Sequence, residues 1–188
     1  MAQGEKGVDA LAERTEMSIA NTSQHLQNLR RAGLVLSRRD GKSVLYRIAD
    51  DGRVVELLNA LRRVAEENMA SVDRIVSGYF ADRDGMEPMT RVELLERANS
   101  GLVTILDVRP MDEFSAGHVP GAINIPLQQL QARLQELDET QEIVAYCRGA
   151  YCVLSFEAVA ALRSRGFNAR RLEEGMPEWR AAGLTVEG

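Results

Sequence analysis

The sequence predicts a two-part chain: a small, mostly α-helical unit closed by a β-hairpin, then an α/β unit with a parallel sheet flanked by helices. Three observations lead there. Residues 8–48 hold two short helical patterns and then an Asp-Gly turn between apolar runs. A single long amphipathic stripe follows, ending near residue 80. Beyond residue 90, apolar strands alternate with helical patterns, as in a sheet covered on both faces. With 188 residues, 45% of them hydrophobic and 27% charged, the chain suits two small globular domains and is neither disordered nor fibrous.

The elements follow in order. Val8, Leu11 and Ala12 recur at helical spacing and stop near Thr15. Ser18 has the chemistry of an N-cap, and Ala20, Thr22, Leu26 and Leu29 continue a second helix until Gly33. Leu34–Leu36 and Val44–Ile48 read as strands joined around Asp40-Gly41. From Arg53 to Phe80, Val54, Leu57, Leu58, Leu61 and Val64 begin a stripe that repeats every three or four residues. At 1.5 Å per residue this is a rod of about 40 Å. Beside so small a block it is expected to pack against a second copy of itself, as a homodimer. Residues 81–89, with Gly85 and Pro88, read as a linker between domains at 1–80 and 90–188. Thr90–Glu93 fits a capping box. Strands are then expected at 103–108, 143–146 and 169–172, and helices at 127–137 and 153–165.

Charge is unevenly spread. Residues 1–85 carry 13 basic and 13 acidic side chains, whereas the remainder carries 10 and 15, which accounts for the net −5. Yet Arg30, Arg31, Arg38, Arg39, Lys42 and Arg47 crowd into one stretch with only Asp40 opposing them. That is either a solvated face or the footprint of an anionic partner. No apolar run is long enough to cross a bilayer, and the first residues lack the apolar centre of a signal peptide, so a cytoplasmic protein without membrane attachment is expected. Both cysteines, Cys147 and Cys152, lie in one short segment, which makes them reactive thiols rather than a disulfide framework. With two distant histidines they give no four-ligand spacing, so neither metal nor cofactor is expected.

Ile143–Tyr146, then Cys147-Arg148-Gly149-Ala150-Tyr151-Cys152, then an apolar helical pattern, form a strand–loop–helix. A cysteine ending such a strand stands at a helix N-terminus, among inward-pointing amides and next to Arg148. Both favour an anion, so its thiol pKa is expected to fall. The residues alone lead to a reactive Cys in an anion-binding loop.

A resemblance leads further. Asp107-Val108-Arg109-Pro110, Glu113-Phe114 and the run from Gly117-His118-Val119-Pro120-Gly121 through Ala122-Ile123-Asn124-Ile125-Pro126 resemble the N-terminal signature of rhodanese domains. Glu174-Gly175-Met176-Pro177-Glu178-Trp179, then Ala182-Gly183-Leu184, resemble their C-terminal signature. The resemblance covers about residues 89–188. It implies an α/β sulfurtransferase domain that carries sulfur as a persulfide on Cys147. Arg148 and Cys152 would join it in catalysis, and Gly149, Ala150 and Tyr151 would form the substrate-binding loop. Many rhodaneses close this loop with a cation where Cys152 stands here. Thiosulfate is therefore expected to bind weakly and a persulfide or polysulfide to be the better donor. Cys152 is either a resolving thiol, forming a disulfide and releasing sulfide, or a small buried residue. Phosphatases and arsenate reductases, which need an Arg at that position, are disfavoured. His118 is expected to buttress the motif, Asp107 and Arg109 to form an internal ion pair, and Trp179 to lie in the core.

The first block resembles the winged helix-turn-helix of ArsR-type regulators, N-terminally shortened. The residues are Val8–Ala12, Met17-Ser18, Ser23–Leu26, Leu29–Val35 and Gly41 through Tyr46-Arg47. The resemblance implies binding of a double-stranded DNA operator. Ala20, Asn21, Ser23, Gln24 and Gln27 would lie along the major groove, with Arg38, Arg39 and Lys42 meeting phosphates or the minor groove. The metal ligands common in such sensors are absent from residues 1–85 apart from His25. The function expected is a transcriptional regulator whose signal enters through Cys147. Two readings stand beside it: a sulfurtransferase whose first block only dimerises, and an inactive module that binds a sulfur species.

Overall fold

The computed structural model describes residues 1, 4–68, 88–149 and 152–188. β1 (Lys6–Gly7) leads directly into α1 (Val8–Thr15), which ends where Glu16 takes a left-handed conformation at φ 53°. α2 (Ile19–Arg31) starts at the expected cap, with Ser18 Oγ accepting from Asn21 N at 3.3 Å. β2 (Val35–Asp40) and β3 (Ser43–Ile48) pair antiparallel with Asp40 opposite Ser43. The two-residue turn between them has Gly41 at φ 58°, as its first central position requires. The short β1, which the pattern does not reveal, adds to the other edge of β3. Leu26, Val35 and Tyr46 form the buried centre of this unit, with Val8, Leu11, Leu29 and Val44 packed round them.

α3 (Asp51–Asn68) realises the first part of the long stripe; the part of the expected helix from 69 to 80, and residues 81–87 of the expected linker, lie outside the described residues, whereas Met89, expected in that linker, is fully buried in the C-terminal unit and bridged to Leu172. Its start packs on the C-terminal unit, where Gly52 faces the backbone of Ala181. Further along, Leu57, Leu58, Leu61 and Val64 remain 48–58% exposed.

The C-terminal unit holds α4 (Arg91–Asn99), β4 (Val103–Asp107), α5 (Met111–Ser115), β5 (Ile123–Asn124), β6 (Glu142–Tyr146), α6 (Val153–Arg163), β7 (Ala169–Arg171) and α7 (Met176–Ala181). The capping residue of α4 is Thr90, which accepts from Glu93 N at 3.2 Å. The strands form one parallel sheet in the order β5-β4-β6-β7. Alternation along β4 and β6 divides the core. Leu106, Val108, Ile143, Ala145 and Cys147 pack with Ala158, Val159 and Leu162 of α6. Ile105, Val144 and Tyr146 pack on the opposite face with Leu94, Met176 and Trp179. Each large apolar side chain buried this way contributes roughly 1.5–3 kcal/mol relative to exposure.

One expectation is corrected. Residues 127–137 are two 3₁₀ turns, Leu127–Ala132 and Leu134–Glu136, rather than an α-helix. The apolar residues Leu127, Leu130, Leu134 and Leu137 are spaced mostly by three, the repeat of a 3₁₀ turn, and Leu130 and Leu137 are the buried ones.

Candidate active site: two cysteines at a helix start

β6 delivers Cys147 into the core beneath α6, only 1% exposed, while Cys152 is half-buried at the N-cap of that helix. The Cys147 sulfur lies 3.6 Å from Cys152 O and 3.5 Å from Ser155 Oγ, alternative acceptors for its one S–H, and the Ser155 hydroxyl donates to Cys152 O at 3.1 Å. The backbone N–H of Ser155 points at the Cys147 sulfur, and those of Arg148 and Leu154 at the Cys152 sulfur. The anion-binding start of α6 therefore serves both sulfurs.

The resting charge does not fall where the sequence suggests. Burial pushes the Cys147 thiol up, and the neighbouring Cys152 sulfur pushes it further. Cys152 is lowered to about 6: it accepts a hydrogen bond from the Cys147 thiol and outweighs its own desolvation with the Arg148 and Leu154 amides and the Arg148 charge. Cys152 is therefore the more acidic thiol of the pair, closer to water and beside the Arg148 charge, while the drier Cys147 is held in its neutral form. Strand position marks Cys147 as a candidate, but only the packing reveals how dry it is.

Two glycines shape the loop. Gly149 has φ 156°, and its carbonyl accepts from Cys152 N at 3.0 Å, closing the loop on itself. Gly175 presses so closely on the loop that a Cβ there would overlap Gly149 N and Arg148 C. Met176 N then donates to Cys147 O at 3.0 Å, and the Glu178 carboxylate lies beside Gly149. Ala150 and Tyr151, expected in the substrate loop, lie outside the described residues.

Arg148 is held by Glu113 of α5, whose side chain is fully buried, while the Arg148 charge also acts on the two sulfurs. Arg148 Nη2 donates to Glu113 Oε1 at 2.7 Å and Nε to Oε2 at 2.9 Å. From the N-terminal unit, Arg14 Nη1 donates to the same Oε1 at 2.9 Å. Burial pushes the Glu113 carboxyl up, but Arg148 and then Arg14 outweigh it and hold it below the ordinary carboxylate range. In sequence Glu113 stands in the motif with no role of its own, and nothing local links it to Arg14, 99 residues away.

The supporting motif residues lie as expected. Asp107 and Arg109 form a buried ion pair, with Nη2 2.5 Å from Oδ2 and Arg109 Nη2 also donating to Gly117 O. Tyr146 Oη accepts from Val119 N, His118 stacks on Phe114 with Nδ1 3.1 Å from its carbonyl, and Trp179 is buried with Nε1 donating to Thr185 O.

The second candidate surface lies on α2 and the hairpin. Ala20, Asn21 and Gln24 are exposed along α2, with Ser23 and Gln27 half-buried beside them. Gln24 Nε2 donates to Asn28 Oδ1 at 3.3 Å. Arg38, Arg39 and Lys42 are exposed on the hairpin, but Arg38 is engaged by Glu5 at 2.7 Å.

Comparison with known proteins resolves what these two sites belong to. Residues 90–182 match the family model of the rhodanese-like domain, and residues 1–37 that of the arsR family of bacterial regulatory proteins. Over its whole length the chain is 46% identical to the HTH-type transcriptional regulator Rv0324 of Mycobacterium tuberculosis, covering 81% of that protein. The chain belongs to the ArsR-type helix-turn-helix regulators that carry a rhodanese domain. The rhodanese part of this ArsR–rhodanese regulator is 28% identical over 85 residues to a sulfurtransferase of Allochromatium vinosum, which covers 45% of this chain and 78% of that one. In fold it resembles a solved protein of Lactobacillus plantarum, with TM-score 0.53 at 24% identity over 64% of this chain and all of that one.

Proposed function

We propose that this ArsR–rhodanese regulator binds a double-stranded DNA operator as a homodimer and responds to sulfane sulfur taken up on Cys147. The observation that carries the reading is the placement of Cys147, buried at the end of β6, beneath the helix start at which Cys152 is the N-cap residue. A persulfide donor R–S–SH places its outer sulfur against Cys147. As the Cys147 sulfur attacks, its proton passes to the Cys152 thiolate, the donor S–S bond breaks and RS⁻ leaves. The products are a Cys147 persulfide and a neutral Cys152 thiol. When Cys152 is again deprotonated it attacks the inner sulfur, expels HS⁻ and closes a Cys147–Cys152 disulfide. Arg148 supplies a charge beside the site but is engaged by Glu113, which favours persulfides and polysulfides over the thiosulfate dianion as donors.

DNA would be read by α2 through Asn21, Ser23, Gln24 and Gln27, with Ala20 permitting close approach, and gripped by Arg39, Lys42 and, once released from Glu5, Arg38. The exposed apolar stripe of α3 supplies the dimer contact. No described helix is long and apolar enough to cross a membrane, consistent with action in the cytoplasm, where operator and reduced thiols are both available.

Fluorescence anisotropy with the chain's own promoter DNA tests the reading. Reduced protein is expected to bind with steep salt dependence, and polysulfide treatment to change the affinity at least fivefold in wild type but not in Cys147→Ser. Equal affinity in all three states would leave the sulfur site without a regulatory role.

A further inference from the structure

Arg14 and Arg148 come from different units and meet on one buried carboxylate. Glu113 is fully buried, whereas Arg14 is 43% and Arg148 40% exposed, so the carboxylate is the fixed point and the two guanidiniums are held to it from either side. Its neighbour Asp112 is exposed and takes Lys6 Nζ at 2.7 Å and Arg14 Nη2 at 3.4 Å. The first turn of α5 is thus the docking point of β1 and α1 and, through Glu113 alone, of the cysteine loop.

We propose that Arg14, a residue of the DNA-reading unit, is a positioning residue for the sulfur-carrying loop: acting through Glu113, it sets where Arg148 stands and so how the loop presents its sulfurs. Arg148 follows Cys147 directly, and its backbone N–H is one of the donors to the Cys152 sulfur. Displacing its side chain therefore moves both a charge and an amide of the anion site. Removing Arg14 takes one positive charge from the cluster and leaves Arg148 on the buried carboxylate, drawn to it more closely, so the potential at the sulfurs becomes less positive. The effect is reciprocal. If docking of α1 changes the reactivity of the loop, a change in the sulfur state of the loop changes the docking of α1 by the same factor. This gives the proposed sulfur response a route to the DNA-reading helices, and in that respect rests on the function proposed above.

The charged groups around the cysteine pair are Arg148 on the loop, Glu113 on α5, Arg14 on α1 and Glu178 on α7. Lys6, held by Asp112 rather than Glu113, serves as the control. The experiment is the rate of iodoacetamide alkylation against pH in the full-length protein, for wild type and Arg14→Ala, Arg14→Lys and Lys6→Ala, each checked for an unchanged thermal transition. Arg14→Ala is expected to raise the midpoint by about half a pH unit, lowering the rate roughly threefold below the midpoint, with Arg14→Lys recovering most of it and Lys6→Ala staying at the wild-type value. An unchanged midpoint in Arg14→Ala overturns the proposal, as does an equal shift in Lys6→Ala, which would reflect general charge or docking alone. Alkylation requires neither persulfide uptake nor DNA, so failure of the functional reading leaves this result standing, and the reverse holds too.

Discussion

Cys147 and Cys152 meet at the start of α6, with the Cys147 sulfur 3.6 Å from the Cys152 carbonyl oxygen and the outer thiol the more acidic of the two. The outer thiolate is thus ready to act as a base toward the inner thiol or as a nucleophile toward a persulfide formed on it. At limiting iodoacetamide and pH 7, peptide mapping is expected to find the label chiefly on Cys152. The labelling rate of Cys152 should rise through a midpoint below the ordinary cysteine range, because the Cys147 thiol and the Arg148 charge favour its thiolate. In Cys152→Ser the remaining thiol should label much more slowly at pH 7, since burial holds it protonated.

Gly175 is required by contact rather than by its own dihedral angles, for it lies where a side chain would run into the backbone of Arg148 and Gly149. Gly175→Ala is expected to destabilise the fold by about 1–3 kcal/mol, the range for overpacking a tight site. Urea unfolding measures this, and cysteine reactivity in the folded variant should also be altered because the loop must shift.

Glu113 is the buried anion between two partly exposed cations. Glu113→Gln is expected to cost about 2–3 kcal/mol, less than a fully buried pair because water reaches both partners. Its carboxyl is held below the ordinary 4.5, so its contribution is complete above that pH and disappears as the pH falls through the lower folded value. Acid unfolding of wild type should accordingly steepen below pH 4.5 relative to Glu113→Gln.

Leu58 and Leu61 are 56% and 58% exposed, so replacing both with Glu should leave the fold intact. Sedimentation is expected to show the wild type as a dimer and Leu58→Glu/Leu61→Glu as a monomer, with weaker binding to a two-half-site operator.

Much of this was legible because the signals were local. Ser18 and Thr90 cap the helices they precede, Asp40-Gly41 turns the hairpin, and the continuous apolar run Ile143–Tyr146 places Cys147 at the end of a buried strand. What escaped depended on tertiary placement. The dryness of Cys147 comes from α6 packing over β6, which reverses the expected direction of its thiol pKa. Leu127–Glu136 read as one helix because three- and four-residue spacings are hard to separate over so short a run. The contact of Arg14 with Glu113 joins two units through side chains that carry no mark of one another in sequence.

The central claim is that Cys147 carries sulfane sulfur. Intact-protein mass spectrometry after brief exposure to polysulfide, and separately to thiosulfate, tests it most directly in wild type, Cys147→Ser and Cys152→Ser. The expected result is a gain of one sulfur atom that forms more slowly in Cys152→Ser, which lacks the base, and is absent in Cys147→Ser, greater with polysulfide than with thiosulfate. In wild type, loss of two hydrogens as the disulfide closes should follow. No adduct from either donor, or an adduct retained in Cys147→Ser, would contradict it.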